Sequence, residues 1–464
     1  MTKPKAGLLP LYLELYDRSN PDMRKRPEAF TQEIAAELEK RGISVARARI
    51  CRLAGEFKAA VRALEKEGVD SIITLHLAYS PSLESGEALA RTRLPILVLD
   101  TTPDDFFGPE QAPGAISYNH GIHGVQDMCN MLIRNGKSFQ IEAGHWKRSD
   151  VLDRIACWAA SARLVTAMRN ARVGQIGPAF KGMGDFSVPA PTLRRTIGVE
   201  TVACNPASLK ALLPAISDPA IDKELALDRK RFKIAEGLDP AIHRRSVQAG
   251  LAVRRWMEKN RLTAFTASFL NIDSKSALPT VPFLEACKAM ARGQGYAGEG
   301  DVLTASFVGA LASAFPETTF TEMFCPDWKG GTIFLSHMGE INPSLVHGKA
   351  TLMAKPFPYT DTKQPANLAG CLKAGKAVFA NIAPGPADTF SLVLAPVAML
   401  CPRRQPKLQN CIRGWMKSTL PVGEFLAQYS KAGGTHHAAL VYGDVLDKLA
   451  GWGTLMGWKT VIIR

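Results

Sequence analysis

From residue 7 to about residue 325, short β-rich apolar runs alternate with stretches of helical spacing, a pattern that calls for parallel sheets crossed over by helices. Gly7 to Leu15 reads as a strand, Pro27 to Arg41 and Phe57 to Glu67 as helices, and Ser71 to Leu77 and Leu94 to Leu99 as strands. Phe30, Ile34 and Leu38 recur at helical spacing and give their helix one apolar stripe. Pro27 and Glu28 suit its first turn, where a missing N–H costs nothing and a carboxylate meets the positive end of the dipole. A stretch with few breakers, Ser149 to Arg169, leads to a strand at Arg172 to Ile176, and the alternation then repeats. Helices are expected at Pro206 to Ala215, Ile242 to Lys259 and Val281 to Arg292, with a strand at Thr263 to Leu270.

Beyond about Pro326 the texture turns β-rich, with runs at Gly331 to Ser336, Ala350 to Lys355, Ala377 to Ile382, Ser391 to Met399 and Lys459 to Ile463. The expected fold class is therefore α/β, with two doubly wound parallel-sheet domains followed by a mainly β, barrel-like C-terminal domain. The expected boundaries are 1–160, 161–325 and 326–464.

Several function classes drop out. No run approaches the roughly 20 apolar residues of a membrane span, and the apolar segment Ala6 to Leu15 contains Pro10 and Glu14, so a cytoplasmic protein is expected. Nine cysteines are scattered with no CxxC pair, which fits reduced thiols and no zinc finger. The net charge of +14 is spread over small groups such as Arg24-Lys25-Arg26 and Arg403-Arg404, which read as solvated faces. Such a field also favours an anionic substrate, whereas no nucleic-acid motif is present. Gly177 to Gly184 lacks the Lys-Ser/Thr ending of a phosphate-binding loop.

Chemistry-bearing residues concentrate between Gly295 and Leu345 and again near Gly433. Gly295-Tyr296-Ala297-Gly298-Glu299-Gly300-Asp301 is followed by Glu322, then by Ser336-His337-Met338-Gly339-Glu340, and finally by Gly433-Gly434-Thr435-His436-His437. Carboxylates and imidazoles so far apart converge only through tertiary folding, and such a set suits Mn²⁺, Mg²⁺ or a similar divalent ion.

These segments resemble those of the arabinose and fucose isomerases. Gly295 to Asp301 is similar to a GF-x-GEGD segment, Phe320-Thr321-Glu322-Met323 falls where that family places a metal-binding Glu, Leu335 to Leu345 resembles SHMLE-x-CPS, and Gly433 to His437 resembles GG-x-HH. Weaker similarity extends to Asn119 to Gly124 and to the loop Gly177 to Phe186. The resemblance implies an aldose–ketose isomerase that moves a proton through an enediolate, with a divalent metal, Mn²⁺ first and Mg²⁺ or Co²⁺ as alternatives. It implies Glu322 and Glu340 as acid/base pair, Glu322, Glu340, His436 and His437 as metal ligands, and His120, His123 and His337 as substrate-binding residues. It also implies a homo-oligomer, a trimer or hexamer, and no nucleic-acid or membrane partner.

Two departures bear on the substrate. Arabinose isomerases carry a further His where this chain reads Leu352-Met353-Ala354-Lys355-Pro356, so either His347 replaces it or the site resembles that of fucose isomerases, with two carboxylates and one His. Met323 stands where arabinose isomerases have an acidic residue. A pentose, a deoxyhexose or a related sugar is the expected substrate. An isomerase or epimerase of a phosphorylated or sulfonated sugar, with Lys181, Lys329 or Lys355 at its charged group, is an alternative, as is a non-catalytic sugar-binding regulator.

Overall fold

A computed structural model describes residues 3–401 and 407–464. The chain divides into two compact units, Thr2–Thr166 and Ala167–Arg464.

The first unit is a five-stranded, all-parallel sheet in which Lys5–Leu11 lies between Ser44–Arg47 and Ser71–His76, followed outward by Ile96–Asp100 and Phe139–Ala143. The inner strands bury both faces: Leu8, Ile73 and Leu97 pack on one side, and Leu9, Ile72 and Val98 on the other. That is why they read as continuous apolar runs rather than alternating ones. The first strand stops at Leu11, not at Leu15, because Glu14–Ser19 forms a helix with acidic residues in its first turn. Lys25–Lys40 and Ala54–Glu67 cover the sheet as expected, through Phe30, Ile34 and Leu38 in the first and Phe57, Val61 and Leu64 in the second.

The second unit begins with a four-stranded parallel sheet, ordered Gly295–Gly298, Ala264–Ala267, Arg172–Ile176 and Glu200–Ala203. Its helices include Pro240–Lys259, Phe283–Ala291 and Val302–Ala314. The last is apolar all round and buried for nearly its whole length, so it shows no amphipathic period and was not anticipated. It approaches Gly295 so closely that a side chain there would run into the backbone of Ala305 and Gly309. The helix expected over Pro206 to Ala215 is shorter, Pro206–Lys210.

Six of the other strands form an antiparallel barrel. Phe390–Leu400, Gly375–Pro384, His437–Tyr442, Thr318–Asp327, Thr332–Ser336 and Ile412–Ser418 pair in that order, and the last returns to Phe390–Leu400 to close the ring. The α/β class with two parallel sheets and a barrel-like C-terminal part is therefore the observed one. Among the described residues, no helix is long and apolar enough to cross a membrane.

Candidate active site

Three neighbouring barrel strands set the core of the site. In Thr318–Asp327, Glu322 lies directly opposite His437 on one side and Ser336 on the other. Directly opposed residues in an antiparallel sheet project to the same face, so this register brings Glu322 and His437 together and leaves His337 just past the end of the third strand. Glu322 Oε1 stands 2.9 Å from His337 Nε2 and 3.2 Å from His437 Nε2. Phe320 presents its ring edge-to-face to both imidazoles, at 4.8 and 5.0 Å, and Phe186 stacks on His437 at 4.8 Å.

The parallel sheet supplies the facing groups. Its strand Gly295–Gly298 ends at Glu299-Gly300-Asp301, at the carboxyl edge where α/β sheets hold their ligands. Asp301 caps the helix Val302–Ala314 by accepting from Thr304 N at 2.8 Å, while its other oxygen lies 2.8 Å from His437 Nδ1. Glu299 Oε2 lies 3.5 Å from His437 Nε2 and 3.6 Å from His436 Nε2. The loop that follows Arg172–Ile176 contributes Asp185, whose carboxylate accepts from His436 N at 3.0 Å and sits 2.7 Å from His436 Nδ1. A cleft of about 330 Å³, lined by Gly177, Cys204, Asn271 and Lys275, opens beside the start of this loop.

Glu340, the other carboxylate of the expected acid/base pair, lies across His337 from Glu322. It is buried behind His337, 2.7 Å from Nδ1, and accepts a 2.8 Å hydrogen bond from the Tyr296 hydroxyl. The two glutamates thus meet opposite nitrogens of one imidazole. Burial opposes a charge on His337, but the flanking Glu340 and Glu322 carboxylates outweigh it and raise the pKa to about 10. Burial likewise pushes Glu322 up, yet His337 and His437 hold it well below the usual carboxylate range. Glu299, also opposed by burial, is brought down to about 2 by its bonds to His436 and His437.

Of the residues singled out from sequence, Glu322, His337, Glu340, His436 and His437 are gathered here. His120 and His123 belong to the first unit, where their rings stack 5.8 Å apart and His120 Nε2 lies 3.2 Å from the Tyr16 hydroxyl. His347 is exposed on the loop ahead of Thr351–Ala354. Asp185, Glu299 and Asp301 had no assigned role, although all three lie in segments already marked by their glycines. The available signal was Asp301 directly ahead of an apolar run, which is an N-cap pattern.

Glu322, His337 and His437 offer ligand atoms within 4.8 Å of one another, as do Glu299, His436 and His437. Buried carboxylates packed against imidazoles, at the meeting of a parallel sheet and a barrel, are the equipment of an enzyme that handles protons and cations. Comparison with known proteins agrees. Residues 192–314 match the L-arabinose isomerase central domain and residues 317–459 the L-arabinose isomerase C-terminal domain. The chain is 24% identical over 353 residues to the L-arabinose isomerase of Shouchella clausii, covering 75% of this chain and 72% of that one. It is 25% identical over 361 residues to that of Lactiplantibacillus plantarum, covering 75% of each. With that of Halalkalibacterium halodurans the identity is 23% over 425 residues, covering 88% of this chain and 83% of the relative. The chain belongs to the L-arabinose isomerase family, and its class of activity is that of an aldose–ketose isomerase, an intramolecular oxidoreductase.

Proposed function

We propose that the chain is a metal-dependent isomerase of a pentose, a deoxyhexose or a related neutral sugar. The observation that carries the reading is the group Glu322, His337 and His437, whose ligand atoms lie within 4.8 Å of one another in a largely buried setting. One carboxylate with imidazole donors suits Mn²⁺ first, with Mg²⁺ and Co²⁺ as alternatives. Glu322 and His437 would hold the ion, with His436 beside them. A bound divalent ion polarises a carbonyl and offsets the charge left when a proton departs the neighbouring carbon.

The chain's own groups then divide the work. Glu322, kept ionised by its imidazole neighbours, accepts the proton from one carbon and returns it to the next. His337 steadies that carboxylate. Glu340 acts through His337, since its bond to Nδ1 and the one it receives from Tyr296 fix the ring. The walls of Phe320 and Phe186 keep bulk water from exchanging the proton in transit. His120 and His123 are assigned to sugar hydroxyls from a neighbouring copy, in a trimer or hexamer that light scattering would reveal.

A second reading takes an anionic sugar as substrate. It is favoured by the net charge of +14. One experiment separates the two: strip the protein with chelator, restore Mn²⁺, Mg²⁺ or Co²⁺, and assay aldose–ketose conversion over neutral and anionic sugars. Metal-restored conversion of a neutral sugar is the expected outcome. Conversion confined to phosphorylated or sulfonated sugars moves the assignment to the second reading, and full activity in the stripped protein removes the metal from the mechanism.

A further inference from the structure

We propose that Asp185 is a positioning residue: its carboxylate fixes the ring of His436 so that Nε2 is turned toward the bound sugar. The inference rests on the isomerase reading above and adds to it a residue that acts through another. A single oxygen, Asp185 Oδ2, accepts from the His436 backbone N–H at 3.0 Å and lies 2.7 Å from Nδ1 of the same residue. A carboxylate oxygen only accepts, so Nδ1 carries a proton and is turned to Asp185. With backbone and ring tied to one atom, swinging or flipping the imidazole breaks a hydrogen bond. Nε2, on the opposite edge of the ring, is thereby held 3.6 Å from Glu299 Oε2.

The two adjacent histidines differ in what they face. The His437 side chain is fully buried against Phe186 and Phe320, whereas that of His436, with ring centroids 4.2 Å apart, is 38% exposed. The sealed ring suits the ion, and the open one suits sugar hydroxyls that arrive from solvent.

The loop that carries Asp185 is pinned on both sides of it. Ahead of it, Phe180 N donates to Glu299 O at 3.1 Å, and a side chain at Gly300 would meet Pro178 and Ala179 at 2.6 Å. After it, Phe186 is buried, stacked on His437 at 4.8 Å and tilted against His436 at 5.5 Å. Lys181 to Gly184, between these anchors, stands exposed. Asp185 is thus delivered to His436 by a fixed frame. Its side chain is 37% exposed, so the pair contributes little to stability and ring orientation is what it supplies.

The test uses the full chain with Mn²⁺ on pentoses, 6-deoxyhexoses and their phosphates, with kinetics followed on the sugar that the wild type converts fastest. Mn²⁺ affinity and melting temperature are measured alongside. Asp185→Ala is expected to lower kcat/KM at least about tenfold, mainly through KM, with Mn²⁺ affinity within about twofold of the wild type and the melting temperature unchanged. In a His436→Ala background, Asp185→Ala is expected to cost nothing further, because its effect runs through that ring. A further loss of about tenfold in that background, or wild-type kinetics for Asp185→Ala alone, overturns the positioning role and leaves the isomerase reading standing. A Mn²⁺ affinity that falls as far as kcat/KM also overturns it, since the ring would then serve the ion and not the sugar. A wild type that converts no sugar removes the isomerase reading and this inference with it.

Discussion

Asp301 does two things with one carboxylate: one oxygen caps the helix Val302–Ala314 and the other holds His437 Nδ1. An asparagine has only one oxygen to offer. If it keeps the cap, its amide N–H faces Nδ1, the ring proton shifts to Nε2, and the nitrogen that faces Glu322 and Glu299 is blocked. Asp301→Asn should therefore lower Mn²⁺ affinity by roughly 10- to 100-fold while leaving the melting temperature nearly unchanged. Calorimetric titration beside a thermal melt checks it, and equal losses in both would reduce Asp301 to a cap. The motifs made Glu322, His337, Glu340 and the His436-His437 pair legible in the sequence. They did not show which nitrogen meets which carboxylate. His437 and Asp301 are 136 residues apart and His436 and Asp185 are 251 apart, so no local spacing encodes either bond.

Three helices, Pro219–Arg231, Pro240–Lys259 and Phe283–Ala291, meet through buried charges instead of an apolar seam alone. Glu224 bonds Arg254 at 3.1 Å and Lys288 at 3.0 Å, Lys288 also reaches Asp228, and Arg254 reaches Glu285 at 2.8 Å. Burial raises the pKa of Glu224, but Arg254 and Lys288 outweigh it and bring it to about 2, below the ordinary 4.5. A carboxylate depressed in the folded state lends stability above its unfolded pKa and loses it as pH falls through the folded one. The contribution is thus present above about pH 4.5 and disappears between about pH 4.5 and pH 2. Glu224→Gln should cost on the order of 3 kcal/mol at pH 7, because it takes one of two carboxylates away from each of two buried cations, Arg254 and Lys288, and much less near pH 2. Denaturant unfolding at the two pH values decides it; a cost that does not shrink in acid would mean that packing, not charge, is lost. The sequence displayed Pro240–Lys259 and Phe283–Ala291, yet hid Pro219–Arg231 and also Val302–Ala314, since a helix buried on every side has no periodic face to display.

At the scale of the whole chain, the unit Thr2–Thr166 has a parallel sheet and two apolar cores of its own. A fragment ending after Arg169, where the helix Val151–Arg169 closes, should fold alone and melt cooperatively by circular dichroism. A featureless melt would show that this unit needs the rest of the chain. The same scale sorts what was readable. Alternation of strand and helix determined the parallel sheets, because both-face burial writes continuous apolar runs into the sequence. Glycine, carboxylate and histidine motifs marked the stretches that carry chemistry. Only tertiary structure decided that Glu340 stands behind His337, that Glu299 faces His437, and that a six-strand ring closes through Phe390–Leu400 and Ile412–Ser418. The physical reason is common to all three: each depends on strand register and ring closure between distant segments, and a side chain's partner across such a contact leaves no trace in its own neighbourhood.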